Sequence, residues 1–179
     1  GVGLLPEDRK AEGLALGLPL AENVVMASLQ RLFPRSVVDM RKEGRVVDQF
    51  IKDLRIATPS RKRLVRFLSG GNQQKGVMAK WLAPESECLL FDEPTRGIDV
   101  GAKAEIHDFM DRLVANDAAL VMASSDLPEV LGMSDRIYVM HAGQIVAKFS
   151  KEEAVAETII AYAMGHMEER NVEDAAANN

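Results

Sequence analysis

Cys88-Leu89-Leu90-Phe91-Asp92-Glu93-Pro94 sets four apolar residues in a row and closes them with two carboxylates and a proline. A short continuous apolar run of this kind suits a buried strand. Toward the C-terminus, Ile106, Phe109, Met110, Leu113 and Val114 recur with helical spacing between Gly101 and Ala115. Ala119-Leu120-Val121-Met122-Ala123 then forms a second buried-strand candidate. Strand, helix, strand in that order predicts an α/β fold with a parallel βαβ unit, its ligand-facing loops at the carboxyl ends of the strands. Toward the N-terminus, Leu68-Ser69-Gly70-Gly71-Asn72-Gln73-Gln74-Lys75 places an N-cap residue and two glycines before a helix predicted to continue from Asn72 to Leu82.

Further out, Gly1-Val2-Gly3-Leu4-Leu5 is predicted to be a short strand, broken by Pro6-Glu7-Asp8-Arg9-Lys10. An abrupt start inside a strand suggests that an N-terminal portion lies upstream. Residues 20 to 66 are predicted to be mainly helical. Val46, Val47, Phe50, Ile51 and Leu54 build one apolar face there, and Thr58-Pro59-Ser60 punctuates the segment. Ile137 to Met140 and Ile145 to Phe149 predict a hairpin around His141-Ala142-Gly143-Gln144. Ser150-Lys151-Glu152-Glu153 has the pattern of a capping box, which predicts a helix through about Met164. From His166 to Asn179 the chain turns polar and Ala/Asn-rich, and a disordered tail is expected.

Composition narrows the class. The 179 residues suit one ordinary domain, and 47 % hydrophobic with 27 % charged residues is globular composition. No run approaches the length of apolar residues that spans a bilayer, and Gly1 to Arg9 lacks the pattern of a secretory signal. A soluble intracellular protein is expected. A net charge of −5 disfavours a general nucleic-acid binder, because neutralising phosphates needs clustered Lys and Arg. Arg61-Lys62-Arg63 with Arg66 is such a cluster only locally and fits a solvated face. His107, His141 and His166 lack metal-ligand spacing, while Cys88, Trp81 and the methionines fit packing roles.

Two places can carry chemistry. The first turn of a helix after Ser69 leaves N–H groups unpaired and partially positive, and Gly70 and Gly71 let an anion approach that backbone. Asp92, at the carboxyl end of a strand, can hold Mg²⁺ directly or through water. Glu93 can accept a proton from an attacking water.

Taken together, these runs resemble the nucleotide-binding domains of ABC transporters: LSGGNQQK their signature motif, CLLFDE their Walker B strand and RGID, with Asp99, their D-loop. DEPTRGIDVGAK followed by SSDLPEVLGMSDRI is similar to the second ATP-binding half of ribose/galactose/xylose-type sugar importers, whose ATPase is a tandem of two halves. The resemblance implies a P-loop NTPase core without its first strands and phosphate-binding loop. It divides the chain into strand and Q-loop region (1–19), helical subdomain with signature (20–82) and Walker B, D-loop and switch region (83–165). It also implies ATP and Mg²⁺ as cofactors, and a place on the cytoplasmic face of a bacterial membrane. The implied partners are the first ATP-binding half, transmembrane permease subunits and, indirectly, a sugar-binding protein. Residues 19–33 would include the surface that meets the permease.

Departures from the family pattern qualify that picture. No G-x-x-x-x-G-K-[ST] occurs in the 179 residues. Glu7 stands at the Q-loop glutamine, Ser125 at the switch histidine and Asn72 at the fifth signature position. A serine cannot supply a near-neutral imidazole to a γ-phosphate. The resemblance then implies that Ser69, Gly70, Gly71 and Asn72 complete a competent site on the partner half. The site built on Asp92 and Glu93, with Asp99, Glu7 and Ser125 around it, would be weak. Two other functions stay open here: a soluble ABC-type ATPase of translation or DNA maintenance, and a non-catalytic regulatory half.

Overall fold

Three apolar runs pair in parallel to organise the first part of the chain. The computed structural model describes residues 1–34 and 37–166, so most of the expected tail, 167–179, lies outside the described residues. Strands β1 (Val2–Leu5), β2 (Cys88–Asp92) and β3 (Ala119–Ala123) lie in the order β1-β2-β3, with Leu4 opposite Leu90 and Leu90 opposite Val121. The expected βαβ unit is present, its helix being α5 (Val100–Val114).

Among the described residues only one face of the sheet is packed. Leu5, Leu89 and Phe91 are buried against the helices, whereas Val2, Leu4, Leu90 and Val121 point to the other face and are exposed. The expectation of fully buried strands is therefore corrected. With period-2 alternation a strand buries both sets of side chains only where helices cover both faces. Gly3 sits where α4 (Gly70–Leu82) crosses the sheet. A Cβ there would lie 2.9 Å from Leu89 Cδ2 and 3.2 Å from Trp81 Cβ.

Between β1 and β2 come a π-helical turn (Arg9–Gly13), α1 (Leu20–Val25), α2 (Leu29–Leu32) and α3 (Met40–Asp53), then α4. Helix does not continue to residue 66 as expected. From Leu54 to Ser69 there are turns and one 3₁₀ turn, Val65–Phe67. The backbone hydrogen bonds of that stretch go elsewhere. Arg63 and Arg61 carbonyls accept from Leu20 N and Ala21 N (both 3.0 Å), and Val65 N donates to Leu18 O (3.1 Å). These carbonyls supply the start of α1, whose N-cap is a proline with no side-chain cap. Asn23, fully buried, ties the same region together by accepting from Ala15 N (2.8 Å) and donating to Ala15 O (3.1 Å) and Pro19 O (3.0 Å).

Chain contacts separate a second unit, beginning at Ser124, from Gly1–Ala123. It holds α6 (Leu127–Met133), the hairpin β4 (Arg136–His141) and β5 (Gln144–Ser150), and α7 (Ala156–Ala163). The two-residue turn puts Ala142 and Gly143 at φ +48° and +82°, the double left-handed geometry that matches strand twist. Ile137, Val139, Val146, Ala147, Phe149, Ile159 and Tyr162 form its core.

The expected capping box at Ser150 does not open a helix. Ser150 is the last residue of β5, opposite Arg136, and α7 begins only at Ala156 after Val155. Glu153 still reaches back to accept from Ser150 N (3.2 Å), which closes a turn. Strand pairing holds Ser150, so the pattern serves the turn.

Candidate functional site

The start of α4 is built as the sequence suggests. Ser69 is extended, and its Oγ accepts from Asn72 N (3.4 Å) and Asn72 Nδ2 (2.7 Å). Asn72 Oδ1 accepts from Ala57 N (2.7 Å), so this one side chain fixes both the cap and the loop before it. Ser69, Gly71 and Asn72 line a cleft of about 310 Å³ with Asp99, Lys75 and Glu105. Lys75 is buried, and its Nζ donates to Arg55 O (3.1 Å) and to Glu105 Oε2. That carboxylate offsets the lysine's charge, so the Arg55 side chain, which also lines the cleft, and the start of α4 are its anion-attracting elements.

Neighbouring parts of the same chain occupy the space that both glycines leave open. A Cβ at Gly71 would stand 2.7 Å from Ala102 Cβ in the first turn of α5. One at Gly70 would stand 2.8 Å from Arg9 Nη2 and 3.5 Å from Gly97 O. The sequence assigned these glycines to ligand approach alone; close packing against the Ala102 methyl demands glycine at 71 as well, whereas at 70 the neighbour is the movable end of Arg9.

At the end of β2, Glu93 adopts φ +47°, its N–H donates to Ala123 O (2.8 Å), and its carbonyl accepts from Arg96 N (3.1 Å). Gly97, at φ +68°, carries the turn onward to Asp99, which caps α5 by accepting from Ala102 N (2.9 Å). Asp92 and Glu93 line neither of the two clefts described here.

Glu7 lies in the second cleft, of about 330 Å³, with Asp8, Arg9, Lys10, Arg96 and Gly97. It forms an ion pair with Arg96, and Arg9 Nη1 donates to Arg96 O (3.1 Å). Asp8 caps the π-helical turn that carries Arg9, accepting from Lys10 N (2.9 Å) and Ala11 N (3.1 Å). The hydrogen bonds from Ala11 and Lys10 hold its carboxyl below the ordinary value of 3.8. A carboxylate lowered on folding contributes stability that is complete above the unfolded value and fades as pH falls through the folded one. The turn is thus expected to loosen in acid below about pH 3.8. Asp8→Asn, which keeps an acceptor without titrating, should flatten that pH dependence in hydrogen exchange at Lys10 and Ala11.

Ser125 belongs to the second unit. Beside it, Ser124 Oγ donates to the buried Glu129 Oε2 (2.6 Å), and Asp126 caps α6 by accepting from Glu129 N (3.1 Å). The first unit thus brings Ser69, Gly71, Asn72 and Asp99 to one cleft and Glu7 to another.

Arg9, Lys75 and Glu105 are absent from the sequence-derived set. Lys75 had a signal, since it sits four residues after Gly71 and three before buried Met78 on one face of α4. Arg9 had none, because its partner is 87 residues away.

A family model described as ABC transporter matches residues 17–96. The ribose import ATP-binding protein of Clostridium perfringens is 45 % identical over 166 residues, 92 % of this chain and 33 % of that protein. Over most of its length the chain is thus similar to ABC transporter ATP-binding proteins. The ribose import ATP-binding protein of Bacillus subtilis is 46 % identical (92 % of this chain, 34 % of that one). The arabinose import ATP-binding protein of Paraburkholderia xenovorans is also 46 % identical (92 % and 32 %). The chain spans about a third of the length of these relatives.

The fold agrees with solved ABC structures. The ATP-binding cassette MJ0796, a dimer in a post-hydrolysis state with ADP and Pi, superposes with TM-score 0.69 at 18 % identity, over 84 % of this chain and 62 % of that one. An inward-facing metal-chelate type ABC transporter gives TM-score 0.76 at 17 % identity (93 % and 64 %). The expected α/β P-loop NTPase core with a parallel sheet is the fold observed.

Proposed function

We propose that this chain is part of an ATP-hydrolysing subunit that powers simple-sugar import, and that the start of α4 completes an ATP site whose other motifs lie on a partner half. The observation that carries this reading is the Ser69-capped, two-glycine start of α4, beside Asp99, in a chain about 45 % identical to sugar-import ATP-binding proteins. The first-turn N–H groups of Gly70 and Gly71 are among those an α-helix leaves unpaired, and phosphate oxygens suit them. The Ser69 hydroxyl adds a donor at the mouth of the cleft.

In this reading the chain's own site is the weaker one. Asp92 is the residue that would hold Mg²⁺, through its carboxylate. Among the described residues no group of three His, Cys, Asp or Glu side chains could hold a metal, so the ion would rely on phosphate oxygens and water. Bound there, Mg²⁺ neutralises charge on the phosphates. Glu93 is placed by its left-handed backbone at the β2 terminus and takes a proton from the attacking water. A serine at position 125, where the resembled family pattern has a histidine, offers no imidazole. Glu7, paired with Arg96, stands where a glutamine would meet metal or water. The 179-residue chain, with no phosphate-binding loop, should turn over ATP no faster than background.

The cytoplasmic membrane face and the permease and first-half partners belong to the same reading; no helix among the described residues is long and apolar enough to cross a membrane. The expected test result is an asymmetry. In the full-length ATPase, Glu93→Gln should lower steady-state turnover less than about twofold, because the competent site draws its base from the other half. A loss near a hundredfold would make this half's own site the catalytic one.

A further inference from the structure

Three segments that the proposed function needs meet at one side chain. Arg9 Nη1 donates to Arg96 O (3.1 Å), and Arg96 N in turn donates to Glu93 O (3.1 Å), so the guanidinium is one hydrogen bond removed from the turn after β2. Its other terminal nitrogen lies so close to Gly70 that a Cβ there would be 2.8 Å away. Two residues before Arg9, Glu7 forms an ion pair with Arg96. Arg9 Nε is buried and has no hydrogen-bond partner among the described residues. A buried unpaired donor is costly, so the terminal nitrogens' contacts and the packing around them hold this guanidinium in place.

We propose that Arg9 is a positioning strap that ties the segment carrying Glu7 to the backbone of the turn at Arg96 and to the start of α4. Arginine suits the task because its rigid planar fork sets one terminal nitrogen on the Arg96 carbonyl and the other against Gly70, whereas a lysine ammonium on a flexible stem cannot reach both places. Gly70 is then glycine to admit the strap. The functional meaning rests on the proposed nucleotide role of α4. A displacement of the 7–9 segment, the Q-loop position, would move the turn at 96–99 and the α4 amides together. One residue would thereby regulate how both nucleotide-facing segments are presented.

The strap itself is tested without nucleotide, so its failure is separate from failure of the ATPase reading. Hydrogen exchange is followed in the 179-residue chain for Arg9→Lys and Arg9→Met. The expected result is about tenfold faster exchange at both 96–99 and 70–73 in each variant, because the guanidinium's bond to the Arg96 carbonyl and its packing against Gly70 no longer hold the two turns. Exchange in α3 and in the β4–β5 hairpin should stay at the wild-type rate. Unchanged exchange at either 96–99 or 70–73 would overturn the proposal, as would a uniform rise across the chain, which marks a general loss of stability. Full protection retained by Arg9→Lys would show that charge alone suffices and would overturn the fork argument. In the full-length ATPase the same variants should lower kcat with little change in KM for ATP. A change confined to KM would overturn the regulatory role while leaving the exchange result standing.

Discussion

Gly71→Asp in the full-length ATPase is expected to lower ATP turnover about a hundredfold, the scale seen when one preorganised donor to a developing anion is lost. The substitution would set a carboxylate among amides that are proposed to face phosphate, reversing the helix-terminus field. The structure supplies a second cause that must be separated from the first. Any side chain at 71 brings a Cβ to 2.7 Å from Ala102 Cβ, and overpacking of this kind costs about 1–3 kcal/mol. Ala102→Gly removes the colliding methyl at about 0.5–1 kcal/mol of helix stability. Gly71→Ala with Ala102→Gly should therefore melt close to wild type, and Gly71→Ala alone clearly below it. If Gly71→Asp with Ala102→Gly still turns over about a hundredfold slower, the amides meet nucleotide. Recovery of turnover on relieving the collision would sink the completed-site reading, leaving glycine at 71 as a packing requirement.

Phe149→Ala is expected to unfold the second unit, with a cost of about 3–5 kcal/mol. Phe149 is 1 % exposed and meets Tyr162 edge-on, ring centroids 5.9 Å apart at 62°. Among the described residues seven buried side chains form the core of that unit, so the loss of one of its two aromatic rings removes a sizeable part of its apolar burial. Hydrogen exchange should then rise throughout β4, β5 and α7, with β1 and β2 little changed. Protection that persisted in the hairpin would mean that β4–β5 pairing and the left-handed turn at Ala142-Gly143 suffice without the ring.

Much was legible where the cause is local. The apolar runs at 88–92 and 119–123, the helix from 100 to 114 and the hairpin all follow from side-chain period and turn residues. Ser69 as a cap follows from the hydroxyl's short reach to an amide three residues on. The misses share one cause. Ser150 begins a capping-box pattern, yet it belongs to a strand because Arg136 pairs with it. Residues 54–69 lack the helix expected nearby because 18–21 takes their backbone hydrogen bonds. In each case a partner distant in sequence outcompetes the local preference.

The chain by itself determined which segments form helix and strand, and its motifs carried the resemblance to ABC transporter ATP-binding proteins, because periodicity, caps and motif spacing act within a few residues. Tertiary structure alone decided what fills the space beside each glycine: the Arg9 guanidinium at Gly70 and the Ala102 methyl at Gly71. It also decided that Lys75 is buried against Glu105 and that Glu7 faces Arg96. Contacts across 30 or 87 residues are set by how helices and turns converge in space, and no pattern along the sequence encodes that distance.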